Sequence, residues 1–424
     1  MSLLDAVSDQ IGADHTAAAP RWLSIVGIGE DGVEGLSTVA RALIVNAEIV
    51  FGGKRHLGLA APIIRGAIRP WPSPFEGAIP EVLAQRGRQV CVLASGDPYL
   101  YGIGALLSQH VDPNDTLVVP APSCFSLAAA RLGWPLADCA LVSLHGRALD
   151  RVRPHLQPGA RVLALTSDGK GPAAIAQLLA TTGFGPSRLT VMEALGGPRE
   201  RIRTTTAASF DLGAIDPLNT LAIEVAAEAG ARIIARASGL SDDLFEHDGQ
   251  ITKREIRAVT LSSLAPRRGE LLWDIGAGAG SVTIEWMLAD PSMRASAIEA
   301  DAARAARIAR NAAGFGVPAL EIIQGAAPGA LAGLQSPDAI FVGGGAGDPG
   351  VLDAAIAALK NRGRLVVNAV SLPTEARLLA HHAALGGELI RIAIARAGRI
   401  DSDKSQVSIW RPALPVTQWR WTKP

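Results

Sequence analysis

The stretch Asp274-Ile-Gly276-Ala277-Gly278-Ala279-Gly280 sets an acid and three alternating glycines between an apolar run and the helical pattern Val282-Thr-Ile-Glu-Trp-Met-Leu288. Glycines let a backbone approach a ligand closely, and the first turn of a helix offers N–H groups that have no intrahelical partner. A dinucleotide loop of the G-x-G-x-x-G type would carry its third glycine where this chain has Ser281; here it comes one position earlier. Gly27-Ile-Gly29-Glu-Asp-Gly32 does fit that spacing. The acid that a nicotinamide-binding fold needs at the end of its second strand is missing, because Glu48 precedes Ile49-Val-Phe51 and Gly52-Gly53 follows it. A third candidate, Leu93-Ala-Ser-Gly96-Asp97-Pro98-Tyr-Leu-Tyr-Gly102, reads as a tight strand-to-helix turn exposing backbone groups and one carboxylate.

Such loops must be positioned by strands that end on them and helices that start from them. Apolar runs punctuated by glycine predict strands at 22–26, 89–94, 116–119, 161–166, 189–193 and 220–225, with helices at 37–47, 103–110, 123–132 and 172–181. A second series follows, with strands at 270–275, 295–299, 320–323, 339–342 and 364–368 and helices at 253–264, 302–313 and 351–360. The alternation predicts an α/β protein whose second half is a doubly wound, Rossmann-like sheet. The polar stretch 238–249 reads as a linker, which divides the chain into 20–237 and 238–424.

Composition narrows the function classes. Of 424 residues, 48% are hydrophobic and 19% charged, which fits a globular protein rather than a disordered chain or a membrane bundle. Lys plus Arg and Asp plus Glu number 40 each, so no global field draws nucleic acid or an anionic membrane, and any acidic ligand must meet local cations. Aromatics, at 4%, are too sparse for a single-strand stacking platform. Three cysteines, Cys91, Cys124 and Cys139, with no C-x-x-C spacing, argue against a disulfide framework and a structural zinc, and suit the cytoplasm. Residues 1–20 carry Asp5, Asp9 and Asp14 and do not read as a secretory signal; no apolar run is long enough to span a membrane.

The 274–280 loop resembles motif I of the class I S-adenosylmethionine methyltransferases. That resemblance implies a second acid at the end of the next strand to hold the donor's ribose hydroxyls, and Glu299 closes Ala295-Ser-Ala-Ile-Glu299 there. In Gln324-Gly-Ala326-Ala327-Pro328, Ala326 stands where this class often has an acid for the adenine amino group, which leaves adenine to backbone around Ala327 and to apolar packing. With Thr252-Lys-Arg-Glu255, Val342-Gly-Gly-Gly345 and Val367-Asn-Ala-Val370, residues 240–410 are similar to the precorrin C15-methylating decarboxylases. The similarity implies that Thr252 touches the donor; on its own, Thr-x-x-Glu reads as a capping box.

In the first half, the 27–32 loop together with Gly96-Asp97-Pro98 resembles the tetrapyrrole methylase family, a fold of two α/β subdomains that binds S-adenosylmethionine in the cleft between them. The resemblance implies donor contacts from Gly29, Gly96, Asp97, Pro98, Ser123 and Cys124, although the family usually has two serines at the last two positions. Phe51-Gly-Gly-Lys-Arg-His56, Ser143-Leu-His-Gly-Arg147 and Leu165-Thr-Ser-Asp168-Gly point to the branch that methylates C5 of a precorrin, over residues 22–237. Read without the resemblance, Asp97 is a turn-capping acid and His145 a hydrogen-bonded residue at a strand end.

Both resemblances in this order imply a fused methyltransferase of the oxygen-dependent cobalamin pathway. It would take precorrin-6B and two S-adenosylmethionine to precorrin-8 and carbon dioxide, with no metal. Lys54, Arg55 and Arg147, and Lys253 and Arg254 in the second half, are the candidate cations for the carboxylate-rich substrate. A homo-oligomer is expected, without nucleic-acid or membrane partners. The alternative is a methyltransferase of the same folds acting on ribosomal RNA, against which stand the zero net charge and the lack of a basic tail.

Overall fold

The computed structural model describes residues 21–402 and 405–424, so the 1–20 stretch lies outside the described residues. Two compact units are present: one holds the chain up to His145 with Arg161–Leu178 and Ser187–Glu224; the other holds Gly146–Ala160, Leu179–Pro186 and Val225–Pro424.

The first unit contains two sheets. Strands β1 (Leu23–Ile28), β2 (Ile49–Gly52), β3 (Ala67–Pro70), β4 (Val90–Ser95) and β5 (Thr116–Val119) form a parallel sheet in the order β3-β2-β4-β1-β5. β1 and β4 are apolar almost without interruption because both faces are covered: Ile25 and Val92 pack into one core, Val26 and Leu93 into another. The second sheet, β6 (Cys139–Ser143), β7 (Arg161–Leu165), β8 (Arg188–Glu193), β9 (Arg201–Thr206) and β10 (Asn219–Glu224), is mixed, in the order β6-β7-β10-β8-β9. β3 and β9 are exposed edge strands without an apolar run, so sequence patterning did not reveal them.

The second unit is a seven-stranded sheet of order β13-β12-β11-β14-β15-β19-β16. Its strands are β11 (Leu271–Ile275), β12 (Arg294–Glu299), β13 (Glu321–Gln324), β14 (Ala339–Val342), β15 (Arg364–Ala369), β16 (Glu388–Ile392) and β19 (Val416–Thr422). The first five run parallel; β19 is antiparallel to both β15 and β16. Alternate residues feed two cores, Leu272 and Phe341 on one face, Trp273 and Ile340 on the other, as a sheet wrapped on both sides requires. Between β16 and β19 the chain makes a two-stranded arm, β17 (Ala395–Ser402) and β18 (Ser405–Pro412).

One expectation is corrected. The 238–249 stretch, read as a linker, is docked on the second unit although much of it is exposed: Leu240 and Phe245 are buried in that unit's core, and the Gly239 and Leu240 N–H groups donate to the Glu285 carboxylate at 2.6 and 2.9 Å. Its acids and turn residues mimic a linker because the backbone is tied down by side chains from elsewhere in the unit.

Candidate active site

In the second unit a cavity of about 610 Å³ lies over the carboxyl ends of the parallel strands, where open α/β sheets bind ligands. Its wall includes Thr252, Gly276, Ala277, Gly278, Glu299, Ala326, Ala327 and the Gly343–Gly345 turn. Gly276, Gly278 and Gly280 all have φ between 61° and 73°, a region that side chains disfavour. A Cβ on Gly276 would also stand 2.7 Å from the Gly344 oxygen, so two loops meet there through glycine. At Gly280 a Cβ would instead meet Ile308 at 2.8 Å; this glycine seats a helix and, like Ala279, is absent from the cavity wall.

Glu299 is buried at the end of β12, where its two oxygens accept from the N–H groups of Gly278 (2.8 Å) and Asp301 (3.0 Å). Each carboxylate oxygen keeps a free lone pair after those bonds. That set suits a vicinal diol, and the glycine backbone beside it leaves room for a nucleoside.

Asp274 does not reach the cavity. It lies fully buried under the loop, accepts from the Thr283 hydroxyl, and leaves Oδ1 without a partner among the described residues. Burial pushes its carboxyl up to about 7, and the nearby Glu299 charge adds to the rise.

The capping box at Thr252 is not formed. The helix Arg254–Leu264 starts after Lys253 without a side-chain cap, and Glu255 pairs with Arg396 instead. Thr252 is held through its carbonyl, which accepts from Arg257 at 2.5 Å. Arg257, fully buried, also pairs with Glu285 (2.6 Å) and Asp242 (3.0 Å), so one guanidinium fastens the 240–252 segment to the helix that follows the glycine loop. Sequence reasoning missed Arg257 and Glu285. Their signal was a charge inside each of two otherwise amphipathic or apolar helices. Arg304, also in the wall, is fixed by Asp248 at 3.0 Å. Lys253 lines the cavity and Arg254 does not.

The first unit has a smaller cavity, about 180 Å³, between its two sheets. Gly29, Gly96, Ser123, Cys124 and Arg55 line it, with Asn219 and Thr220 from β10 opposite. A Cβ on Gly27 would sit 1.9 Å from the Gly96 oxygen, which explains why the dinucleotide-like spacing occurs here without a dinucleotide site: the glycine admits another loop. Asp97 and Pro98 are not in the wall. The Asp97 carboxylate accepts from the Tyr99 N–H at 2.8 Å and the Pro98 carbonyl from Gly104 at 2.9 Å, so both shape the turn. Ser123 caps the helix Cys124–Leu132, and burial raises the Cys124 thiol. Arg55 pairs with Glu30 and donates to Ser95 at 3.1 Å. Lys54 and Arg147 do not line this cavity. His145 lies 3.3 Å from the Thr166 carbonyl.

Residues 23–211 match a family model described as tetrapyrrole (corrin/porphyrin) methylases, and 243–423 one described as a precorrin methyltransferase domain. A precorrin-6Y C(5,15)-methyltransferase [decarboxylating] of Sinorhizobium is 61% identical over 98% of this chain and 100% of its own length. The chain belongs to this precorrin-6Y C5,15-methyltransferase (decarboxylating) family. A member from Mycobacterium tuberculosis is 39% identical over 94% of this chain and 99% of its own. The C-terminal domain of the Rhodobacter capsulatus protein, a crystal structure, is 43% identical, covers 45% of this chain and 100% of that one, and has a TM-score of 0.41. Membership makes the chain an S-adenosylmethionine-using methyltransferase of cobalamin biosynthesis, and its two family matches follow the order of the two unlike cavities.

Proposed function

We propose that the chain carries two donor sites and performs two methylations on one tetrapyrrole. The first unit acts at C5 and the second at C15 with loss of the ring C acetate carboxyl, so that precorrin-6B becomes precorrin-8. The observation that carries this reading is the presence of two glycine-loop cavities of different construction, one in each unit. Two relatives support the division: a cobalt-precorrin-7 C(5)-methyltransferase of Salmonella typhimurium, 30% identical over 46% of this chain, and a probable cobalt-precorrin-6B C(15)-methyltransferase (decarboxylating) of Pyrobaculum calidifontis, 36% identical over 38%. The activities are divided at 237/238, although by contacts 146–160 and 179–186 go with the second unit. The protein is assigned to the cytoplasm, as a homo-oligomer.

S-adenosylmethionine, when bound, supplies an electrophilic methyl group on a sulfonium. The chain's part is positioning. In the second unit Glu299 takes the ribose hydroxyls, Gly276–Gly278 and Ala326–Ala327 face the nucleoside, and Thr252 closes over it from the segment that Arg257 fastens. Ile298 and Phe341 in the wall keep water from the transfer. Loss of carbon dioxide breaks the bond between the carboxyl and its methylene; the electron pair passes into the conjugated macrocycle, and a proton from solvent then completes the methyl group left on ring C. In the first unit, donor contacts fall to backbone at Gly29 and Gly96 and to Ser123 and Cys124. Incubating the full chain with precorrin-6B and isotopically labelled donor tests the reading: mass spectrometry should show two labelled methyl groups and the loss of one carboxyl.

A further inference from the structure

We infer that Arg396, at the root of the β17–β18 arm, is the anchor for a peripheral carboxylate of the tetrapyrrole in the second-unit cavity, and that Glu255 holds its place while no substrate is bound. The inference rests on reading this cavity as the C15 site. Strand order separates the two ends of the cavity. Glu299 closes β12, whereas Val416 opens β19, four strands along the sheet and, at about 4.8 Å per strand, roughly 19 Å away. The glycine loop and Glu299 occupy the first end. At the other, Ile394, Arg396, Ala413 and Leu414 from the arm root form the wall with Val370, and Val370 and Leu414 are 64% and 75% exposed. An apolar ledge with a guanidinium at its rim matches a flat macrocycle fringed with acids.

The cations of the wall among the described residues are Lys253, Arg304 and Arg396. Arg304 is committed to Asp248 on the Glu299 side. Arg396 pairs with Glu255, and both side chains are about half exposed, so the pair contributes little and is cheap to open. A substrate carboxylate can then take the guanidinium fork bidentately, which an ammonium cannot reproduce. Glu255, left unpaired when the pair opens, repels that same carboxylate and so opposes the affinity that Arg396 supplies.

The test is steady-state kinetics of the C15 step in the full chain, with S-adenosylhomocysteine binding to this site measured in parallel. Arg396→Ala should raise the KM for the tetrapyrrole about tenfold, Arg396→Lys should recover part of the loss, and Glu255→Gln should lower the KM, while S-adenosylhomocysteine affinity stays within about twofold. The loss in Arg396→Ala should disappear when the substrate's peripheral acids are methyl esters. A purely structural ion pair would give the same sign for both partners, and that result overturns the proposal. So does an unchanged KM in Arg396→Ala, or an equal weakening of S-adenosylhomocysteine. A wild-type chain that fails to methylate precorrin-6B at C15 overturns the functional reading and the anchor with it; an active wild type matched by Arg396→Ala overturns the anchor alone.

Discussion

In both units glycine lets one loop lie against another, Gly27 on Gly96 in the first and Gly276 on Gly344 in the second, but only the second unit's glycine loop ties down a buried acid at the cavity wall. Gly27 lets one loop rest on Gly96, and Gly96, itself at φ 55°, would carry a Cβ 2.9 Å from the Pro122 oxygen. Three strand ends are thereby interlocked, and the acid in that cavity wall, Glu30, is engaged by Arg55. The second unit's loop instead has three left-handed glycines and presents two N–H-bonded oxygens of Glu299. On the proposed reading of two donor sites, the comparison teaches that one donor would rest largely on backbone, which side-chain truncation leaves in place, and the other on a carboxylate that a single substitution deletes.

The largest effect should come from Gly27→Ala. Its methyl would meet backbone that no side-chain rotation relieves, so the variant should lose S-adenosylhomocysteine binding in the first unit and keep it in the second, as read by calorimetry. Next is Arg257→Met, which leaves Glu285 buried without its cation. A cost of about 3–5 kcal/mol is expected for breaking such a pair, seen as a lower denaturant midpoint for the second unit alone.

A smaller, pH-dependent effect belongs to Asp274. Its carboxyl titrates at about 7 in the fold against 3.8 for a free aspartate. Between about pH 4 and 7 the unfolded chain therefore releases a proton that the folded chain keeps, and stability present below about pH 4 is lost as pH rises. Asp274→Asn should flatten that slope, so the difference in denaturant midpoint between variant and wild type should shift in the variant's favour from pH 4 to pH 8. A constant difference would remove the charge from the account.

How much of this was legible depended on what each residue packs against. The parallel strands were readable since both faces are apolar, and β5 and β14 fall on the expected boundaries. The arm and the β16–β19 edge were not, because their alternation lacks the glycine loops that marked the rest. At the sites, Gly276 and Gly278 of the glycine loop and Glu299 at its strand end line a cavity, and so do Ala326, Gly29, Gly96 and Ser123, which only the family resemblance singled out as contacts. Asp274, Gly280, Asp97 and Pro98 belong to the same sequence patterns yet lie outside the cavity walls, since a tight loop needs residues that hold it as well as residues that face the ligand. Arg257 left only the signal of a charge within a helix and Arg396 none, because their partners lie 28 and 141 positions away in the chain.

The most direct test of two separate donor sites is S-adenosylhomocysteine binding to the full chain and to Glu299→Ala, measured by calorimetry. Wild type should bind two per chain. In the variant one site should be unchanged and the other weakened at least about tenfold, since charge-assisted bonds to the ribose contribute about 1.5–3 kcal/mol each and about 1.4 kcal/mol is one decade. Two unchanged sites would return Glu299 to a purely structural role at the end of β12, and two weakened sites, or one site in wild type, would contradict a chain built around two independent donor cavities.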